Sequence, residues 1–166
     1  MILVTVGSMF PFDRLVMAAD ALAERLGPQT TFFAQIGDGR YEPSHMPFLR
    51  FVPREKFAGL MTQAEMVISH AGIGTIAETL AFGKPLLVLP RRKSLGEHVN
   101  DHQVATAARF EALGHLLVAG SESDIEAHLG ALRTFVPRRR VADTHRLARH
   151  VAAWLAPAAK QAGPQA

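Results

Sequence analysis

Apolar residues along this chain fall into two alternating patterns, short unbroken runs and longer stretches of helical spacing. The run Ile2-Leu3-Val4-Thr5-Val6 is β-rich and has no polar alternation, as expected of a strand buried on both faces of a parallel sheet; it ends at Gly7-Ser8. From Asp13 to Leu26 the apolar positions Leu15, Val16, Ala19, Leu22, Ala23 and Leu26 recur at helical spacing, with Asp13 placed to cap and Gly27-Pro28 placed to stop. Further strands are predicted at residues 31–36, 48–52, 66–69, 86–89 and 115–118, separated by helical patterns over 55–63, 75–82 and 101–113. Strands alternating with helices specify an α/β fold built on a doubly wound parallel sheet of about six strands. No internal repeat is visible, and the Ala, Gln, Gly and Pro tail after Leu155 is expected to fray.

Length and composition narrow this picture. With 166 residues and 48% hydrophobic content, the chain supports one buried core and is short for two ordinary domains. The expected division is a single domain over 1–135, a basic helical segment over 136–156 and a flexible tail over 157–166. The absence of cysteine excludes disulfides and thiolate metal sites, and no stretch at the start of the sequence has the layout of a signal peptide, so a cytoplasmic location is expected. The run Leu86-Leu87-Val88-Leu89 stops at Pro90 and a basic cluster, far short of the roughly 20 residues that span a bilayer.

The formal net charge is only +3, yet Arg133, Arg138, Arg139, Arg140, Arg146 and Arg149 face a single acid, Asp143, between residues 133 and 150. Such a cluster suits nucleic acid, anionic lipid or an acidic partner surface, and equally a solvated helix face. From Arg138 to Arg149 it lacks interleaved aromatics, so nucleic acid is not expected as a partner.

In a doubly wound sheet, ligands sit beyond the carboxyl ends of the strands, which directs attention to the loops that follow them. The strongest signal is Ser69-His70-Ala71-Gly72-Ile73-Gly74-Thr75, which joins an apolar strand directly to a helix beginning near Gly74. Two glycines permit close backbone approach, and a helix N-terminus offers unpaired N–H groups to a phosphate. Thr75 adds a hydroxyl and His70 a neutral or charged donor; a tight β–α turn that binds nothing is the plainer alternative. Glu78 projects from the same helix face and suits a vicinal diol, such as that of ribose, or simply complements the helix dipole.

The polar stretch from Arg91 to Gln103 is long for a β–α connection and has capacity for sugar hydroxyls, with Asp101, His102 and Gln103 at the start of the next helix. It reads equally as a solvated loop in which Asn100 or Asp101 is an N-cap. His98 and His102 stand four residues apart like half a metal site, but spacing places no third ligand, so no metal is expected. Gly7 and Ser8 supply backbone donors across the crevice or only a turn. Gly37-Asp38-Gly39 builds another turn or touches the base, and His45, His115 and His128 belong to no evident constellation.

The pattern from Ser69 to Thr75, followed by Glu78, Gly83-Lys84-Pro85, Pro90 and Asp101-His102-Gln103, resembles the C-terminal, donor-binding domain of GT-B glycosyltransferases of the murein N-acetylglucosaminyltransferase type, glycosyltransferase family 28. It is most similar to free-standing versions: the soluble subunit of the dolichol-linked N-acetylglucosaminyltransferase and bacterial exopolysaccharide subunits that pair with a membrane-anchored partner. The resemblance covers roughly residues 1–132, and Pro90-Arg91-Arg92, Gly96-Glu97-His98 and Asn100-Asp101-His102-Gln103 look most like the exopolysaccharide branch. It implies a single Rossmann-like domain, half of a GT-B fold, and an inverting transfer from a UDP-sugar without metal or other cofactor.

By that similarity the turn of His70, Ala71, Gly72, Gly74 and Thr75 would hold the diphosphate, Glu78 the ribose, the backbone of Phe51 and Val52 the uracil, and Asp101, His102 and Gln103 the sugar. The resemblance further implies a membrane-anchored subunit that holds a lipid-linked saccharide acceptor, keeps this chain peripheral at the inner face of the membrane, and supplies the base; His70, His98 and His102 are the candidates for catalysis on this chain. The segment from Val141 to Leu155, with Val141, Leu147, Val151, Trp154 and Leu155 on one face, is a candidate docking helix or a helix closing the chain's own core.

Two rivals come from other classes. A nucleotide-dependent oxidoreductase is disfavoured because Gly7-Ser8-Met9-Phe10-Pro11 lacks the G-x-G-x-x-G fingerprint. A non-catalytic regulatory or scaffold subunit is disfavoured by the intact Thr75 and Glu78. The sugar is open, with Arg91, Arg92 and Lys93 able to pair with a uronate carboxylate or to lie exposed.

Overall fold

In the computed structural model, which describes residues 1–138 together with Arg149 and Ala152, the first apolar run becomes the central strand β1 (Ile2–Thr5). Every residue of β1 is buried, and the strand is paired in parallel on both sides, with β2 (Phe32–Gln35) and with β4 (Met66–Ser69). Beyond them lie β3 (Phe48–Leu49), paired with β2, and β5 (Leu86–Val88) and β6 (Leu117–Val118), which follow β4. The order β3-β2-β1-β4-β5-β6 is that of a Rossmann-like sheet, whose strand order reverses at β1.

Helices cover both faces. On one side α1 (Asp13–Leu26) and α5 (Ser123–Thr134) pack Leu15, Val16, Ala19, Leu22, Ile125, Leu129 and Leu132 against Val4, Ala34, Ile68 and Leu87. On the other, α2 (Arg54–Gln63), α3 (Ile73–Ala81) and α4 (His102–Ala112) place Leu60, Met61, Ile76 and Ala107 over Leu3, Val67, Leu86 and Val88. Each fully buried Leu or Ile in these layers contributes about 1.5–3 kcal/mol over its exposed state.

The helical pattern missed in the sequence is α5, which carries only Ile125, Leu129 and Leu132 on its buried face. The edge strands are shorter than their apolar runs: residues 48–52 yield a strand only over Phe48–Leu49, and residues 115–118 only over Leu117–Val118. Tertiary ties fix the connections. Asp20, buried in α1, accepts from the Tyr41 hydroxyl (2.7 Å) and from the Ser44 and His45 amides (3.0 and 2.8 Å), anchoring the β2–β3 connection. Burial alone would raise its pKa, but these donors outweigh that and hold it below the usual carboxylate value.

Among the described residues no helix is long and apolar enough to cross a membrane. Of the basic segment over 136–156 and the tail over 157–166, all but 136–138, Arg149 and Ala152 lie outside the described residues.

Candidate functional site

β1 and β4 run in register, Thr5 beside Ser69, so the chain leaves both strands side by side at the point where the strand order reverses. After β1 the backbone turns at Gly7, whose φ of +76° favours glycine. After β4 the chain passes through His70 and Ala71 to Gly72, the N-cap of α3. The His70 ring is packed between these two turns. A Cβ at Gly7 would lie 2.7 Å from its Cε1, and one at Gly72 would overlap the imidazole. Both glycines are therefore fixed by the same buried side chain.

No side chain caps α3, so the first amides of this helix are left without intrahelical acceptors and face the carboxyl edge of the sheet. α1 has no side-chain cap either, since Asp13, expected as its cap, is the first helical residue after Phe12 and turns to accept from the Arg40 and Tyr41 amides (3.2 and 3.3 Å), but it puts a carboxylate in the first turn where α3 has none. A carboxylate there disfavours an anion, so of the two helices flanking the switch point α3 is the one suited to phosphate.

A crevice of about 700 Å³ opens against α3. Gly7, Ser8, Phe51, Val52, Gly74, Thr75 and Glu78, all singled out in the sequence, line it, joined by Thr5, Gln35, Arg54, Phe57 and Phe82. Gly74, Thr75 and Glu78 share one face of α3 and Phe82 follows at its C-cap on the same side, so a hydroxyl, a carboxylate and an aromatic ring are presented in succession from the helix start outward. Phe51, 49% exposed, stands on the opposite wall with Val52.

His70 lies beneath this crevice and does not line it. It is 8% exposed, with Nδ1 3.1 Å from Ser69 Oγ. Burial, with smaller contributions from the Arg91 charge and His98, lowers its pKa to about 4, so the ring is neutral at pH 7. Ala71 is buried and its amide donates to Gln103 Oε1 (3.1 Å).

The loop from Pro90 to Asp101 is held by the buried Arg91 side chain and by one partly buried ion pair. Arg91, 2% exposed, donates to the Val6 and Phe10 carbonyls (2.9 and 2.5 Å) and lies 4.7 Å over the Phe12 ring. Burial lowers its pKa to about 10, opposed by Glu97, and it stays charged at neutral pH. Its Nε is the one buried side-chain nitrogen or oxygen without a hydrogen-bond partner among the described residues. Arg14 grips both oxygens of Glu97 (2.5 and 2.8 Å) and also reaches the Pro90 carbonyl.

The three residues at the start of α4 have separate surroundings. Gln103 is buried, and its Oε1 bridges the Ala71 and Arg91 amides (3.1 and 3.2 Å), tying the loop after β4 to the loop after β5. Asp101 is exposed and accepts from the Lys93 amide (2.8 Å). His102 is exposed, with its Nδ1 and backbone amide both bonded to Asn100 Oδ1. His98 stacks edge-on between Phe10 and His102, at 5.0 and 4.5 Å between ring centroids. Partial burial, with His102 and Arg91 adding, lowers its pKa. Among the described residues no group of three or more His, Cys, Asp or Glu could hold a metal ion.

Sequence reasoning passed over Thr5, Gln35, Arg54, Phe57 and Phe82 as site residues. Gln35 did carry a signal, as the one amide within the apolar run at 31–36. Gly37-Asp38-Gly39, in contrast, is a turn stapled by Arg50, which donates to the Gly37 and Gly39 carbonyls (3.2 and 2.8 Å), and it does not line the crevice.

Residues 1–151 match the glycosyltransferase family 28 C-terminal domain. The UDP-N-acetylglucosamine transferase subunit ALG13 of Yarrowia lipolytica is 28% identical over 137 residues, covering 75% of this chain and 67% of that protein. The ALG13 subunit of Eremothecium gossypii is 42% identical over 71 residues, covering 43% of this chain and 32% of that protein, so the chain matches about a third of the latter's length. Among solved structures, the solution structure of ALG13 superposes with a TM-score of 0.60 at 20% identity, covering 90% of this chain and 93% of that one; it shares the fold.

Proposed function

The chain belongs to the glycosyltransferase family 28 C-terminal domain family, and from that premise we propose that it is the donor-binding subunit of a two-component glycosyltransferase. It takes a UDP-sugar and transfers the sugar to a lipid-linked acceptor held by a membrane-anchored partner. The observation that carries this reading is the crevice at the switch point, in which the open N-terminus of α3, Thr75 and Glu78 follow one another on one helix face opposite Phe51 and Val52.

The diphosphate lies on the α3 amides and the Thr75 hydroxyl, the ribose diol on Glu78, and the uracil against the backbone of Phe51 and Val52. The acceptor oxygen attacks the anomeric carbon as the bond to the diphosphate breaks. Charge developing on the departing UDP falls on amides already oriented toward it, so the transfer is proposed to be metal-independent. His70, neutral and buried, holds the Gly7 and Gly72 turns in shape and lends no positive charge. The acceptor proton goes to a base on the partner, or to His98 or His102.

Exposed Met9, Ile73, Leu95 and Val99 stand on segments after β1, β4 and β5, on the same edge as the crevice, which suits a second subunit closing over it. This keeps the chain at the inner face of the membrane through its partner.

The relatives' names make UDP-N-acetylglucosamine the first donor to test. The uronate reading loses one of its three cations, because Arg91 is buried beneath the Gly7 loop. Pro90-Arg91-Arg92, Gly96-Glu97-His98 and Asn100-Asp101-His102-Gln103 are what supports proposing a role in exopolysaccharide synthesis, whereas the relatives named above are ALG13 subunits.

The test is calorimetric titration of the purified chain with UDP, UDP-sugars and NADH, with and without magnesium. Metal-independent UDP binding is expected. Glu78→Ala should weaken it by about 2 kcal/mol, about 30-fold, with an unchanged thermal transition. NADH binding in place of UDP, or full affinity in the Glu78 variant, would overturn the assignment.

A further inference from the structure

Gln35 closes β2 at the floor of the crevice and is 5% exposed. Its carbonyl accepts from the Thr5 hydroxyl (2.7 Å) and from the Gly7 amide (3.2 Å). Its amide donates to the Gly7 carbonyl (3.0 Å) and to the Arg50 carbonyl (2.9 Å). A glutamine side chain offers two lone pairs and two N–H donors, and all four are used. None remains for a ligand.

The arrangement extends the sheet by side chain where the main chain can no longer do so. The Gln35 main-chain carbonyl still accepts from the Val6 amide (3.1 Å), but at Gly7 the backbone turns away at positive φ. There the Gln35 amide group takes both the N–H and the C=O of Gly7, as a neighbouring strand would. On its other side it shares the Arg50 carbonyl with the Gly37 amide (2.8 Å), one residue before Phe51. One side chain therefore sets the distance between the Gly7-Ser8 turn on one wall and the Phe51-Val52 segment on the other.

We propose that Gln35 is a positioning residue for nucleotide binding, which clasps the Gly7 and Arg50 peptides and thereby fixes the width of the crevice between its phosphate side and its base side. This rests on the donor-binding reading above. Glutamate at this place keeps the shape but, while ionised, cannot donate and instead opposes two carbonyl oxygens. Protonation restores one donor.

The experiment titrates UDP into the full chain and into Gln35→Glu and Gln35→Met, at pH 8 and pH 5.5, with thermal unfolding recorded for each. The expected result is at least tenfold weaker binding for both variants at pH 8. Relative to wild type, Gln35→Glu should recover severalfold at pH 5.5, and Gln35→Met should recover nothing. A foldable variant that binds within threefold of wild type at pH 8, or a Gln35→Glu deficit equal at both pH values, overturns the proposal while leaving the donor reading intact. Loss of the cooperative transition in both variants also overturns it, since Gln35 would then maintain the fold and not the crevice. If the wild-type chain itself binds no UDP, the donor reading fails and the proposal falls with it.

Discussion

Acidification should destabilise this protein through His70, and the size of the effect follows from its packing. The ring sits between Gly7 and Gly72 at 8% exposure, and its pKa falls from 6.5 to about 4. Because the charged form is disfavoured in the fold, the unfolded chain binds the proton more tightly. Stability is therefore constant above the unfolded pKa and falls as pH drops from about 6.5 towards 4. At about 1.4 kcal/mol per tenfold change in proton affinity, the full effect is about 3 kcal/mol, with about 1.4 lost by pH 5.5 and about 2.5 by pH 4.5. That is a large fraction of the 5–15 kcal/mol typical of a domain.

The assay is urea unfolding at pH 7.5, 6.5, 5.5 and 4.5 for the wild-type chain and His70→Asn. Asp20 and Asp124, whose pKa values are lowered, lose stabilisation at still lower pH in both proteins and cancel in the difference. The wild type should lose its advantage over the variant across that window. A difference that stays flat from pH 7.5 to 4.5 would refute the reasoning, since it would mean that folded His70 protonates as freely as unfolded His70.

Two further predictions test the scaffold around the site. Gly72→Ala drives a methyl group into the His70 ring and should cost about 1–3 kcal/mol; in a His70→Ala background the cost should shrink by at least about 1 kcal/mol, and additive urea-unfolding energies would show that the two do not touch. Glu97→Ala removes the acceptor gripped by Arg14, in a pair whose side chains are 15% and 11% exposed. It should cost about 2 kcal/mol by thermal or urea unfolding, and a loss under about 0.5 kcal/mol would show that the Pro90 to Asp101 loop is held by other contacts.

The central strands and the turn from Ser69 to Thr75 were legible because both signals are local: an unbroken apolar run has one physical solution in a parallel sheet, and glycines at a strand–helix junction have few. α5 was hidden because Ile125, Leu129 and Leu132 are its only buried large residues and Gly130 interrupts it, a residue that costs about 1 kcal/mol in a helix interior. Its place is decided by packing on the sheet beside α1, which no local pattern carries.

Side-chain direction was likewise beyond the sequence. Arg91 and Gln103 belong to the same polar stretch as Asp101 and His102, yet the first two turn inward to bind backbone groups from distant loops while the last two stay at the surface. Composition reports that a loop is polar but not which of its polar groups are already spoken for by the fold. Gln35 shows the reverse case. A single amide inside an apolar strand run must find partners when buried, so its presence there implied a network, and the strand register that sets Gln35 beside Thr5 supplies the partners on β1 and its following turn. Within buried runs the polar exception is therefore the more informative residue. In this chain it stands at the junction of the two walls on which the proposed donor site depends.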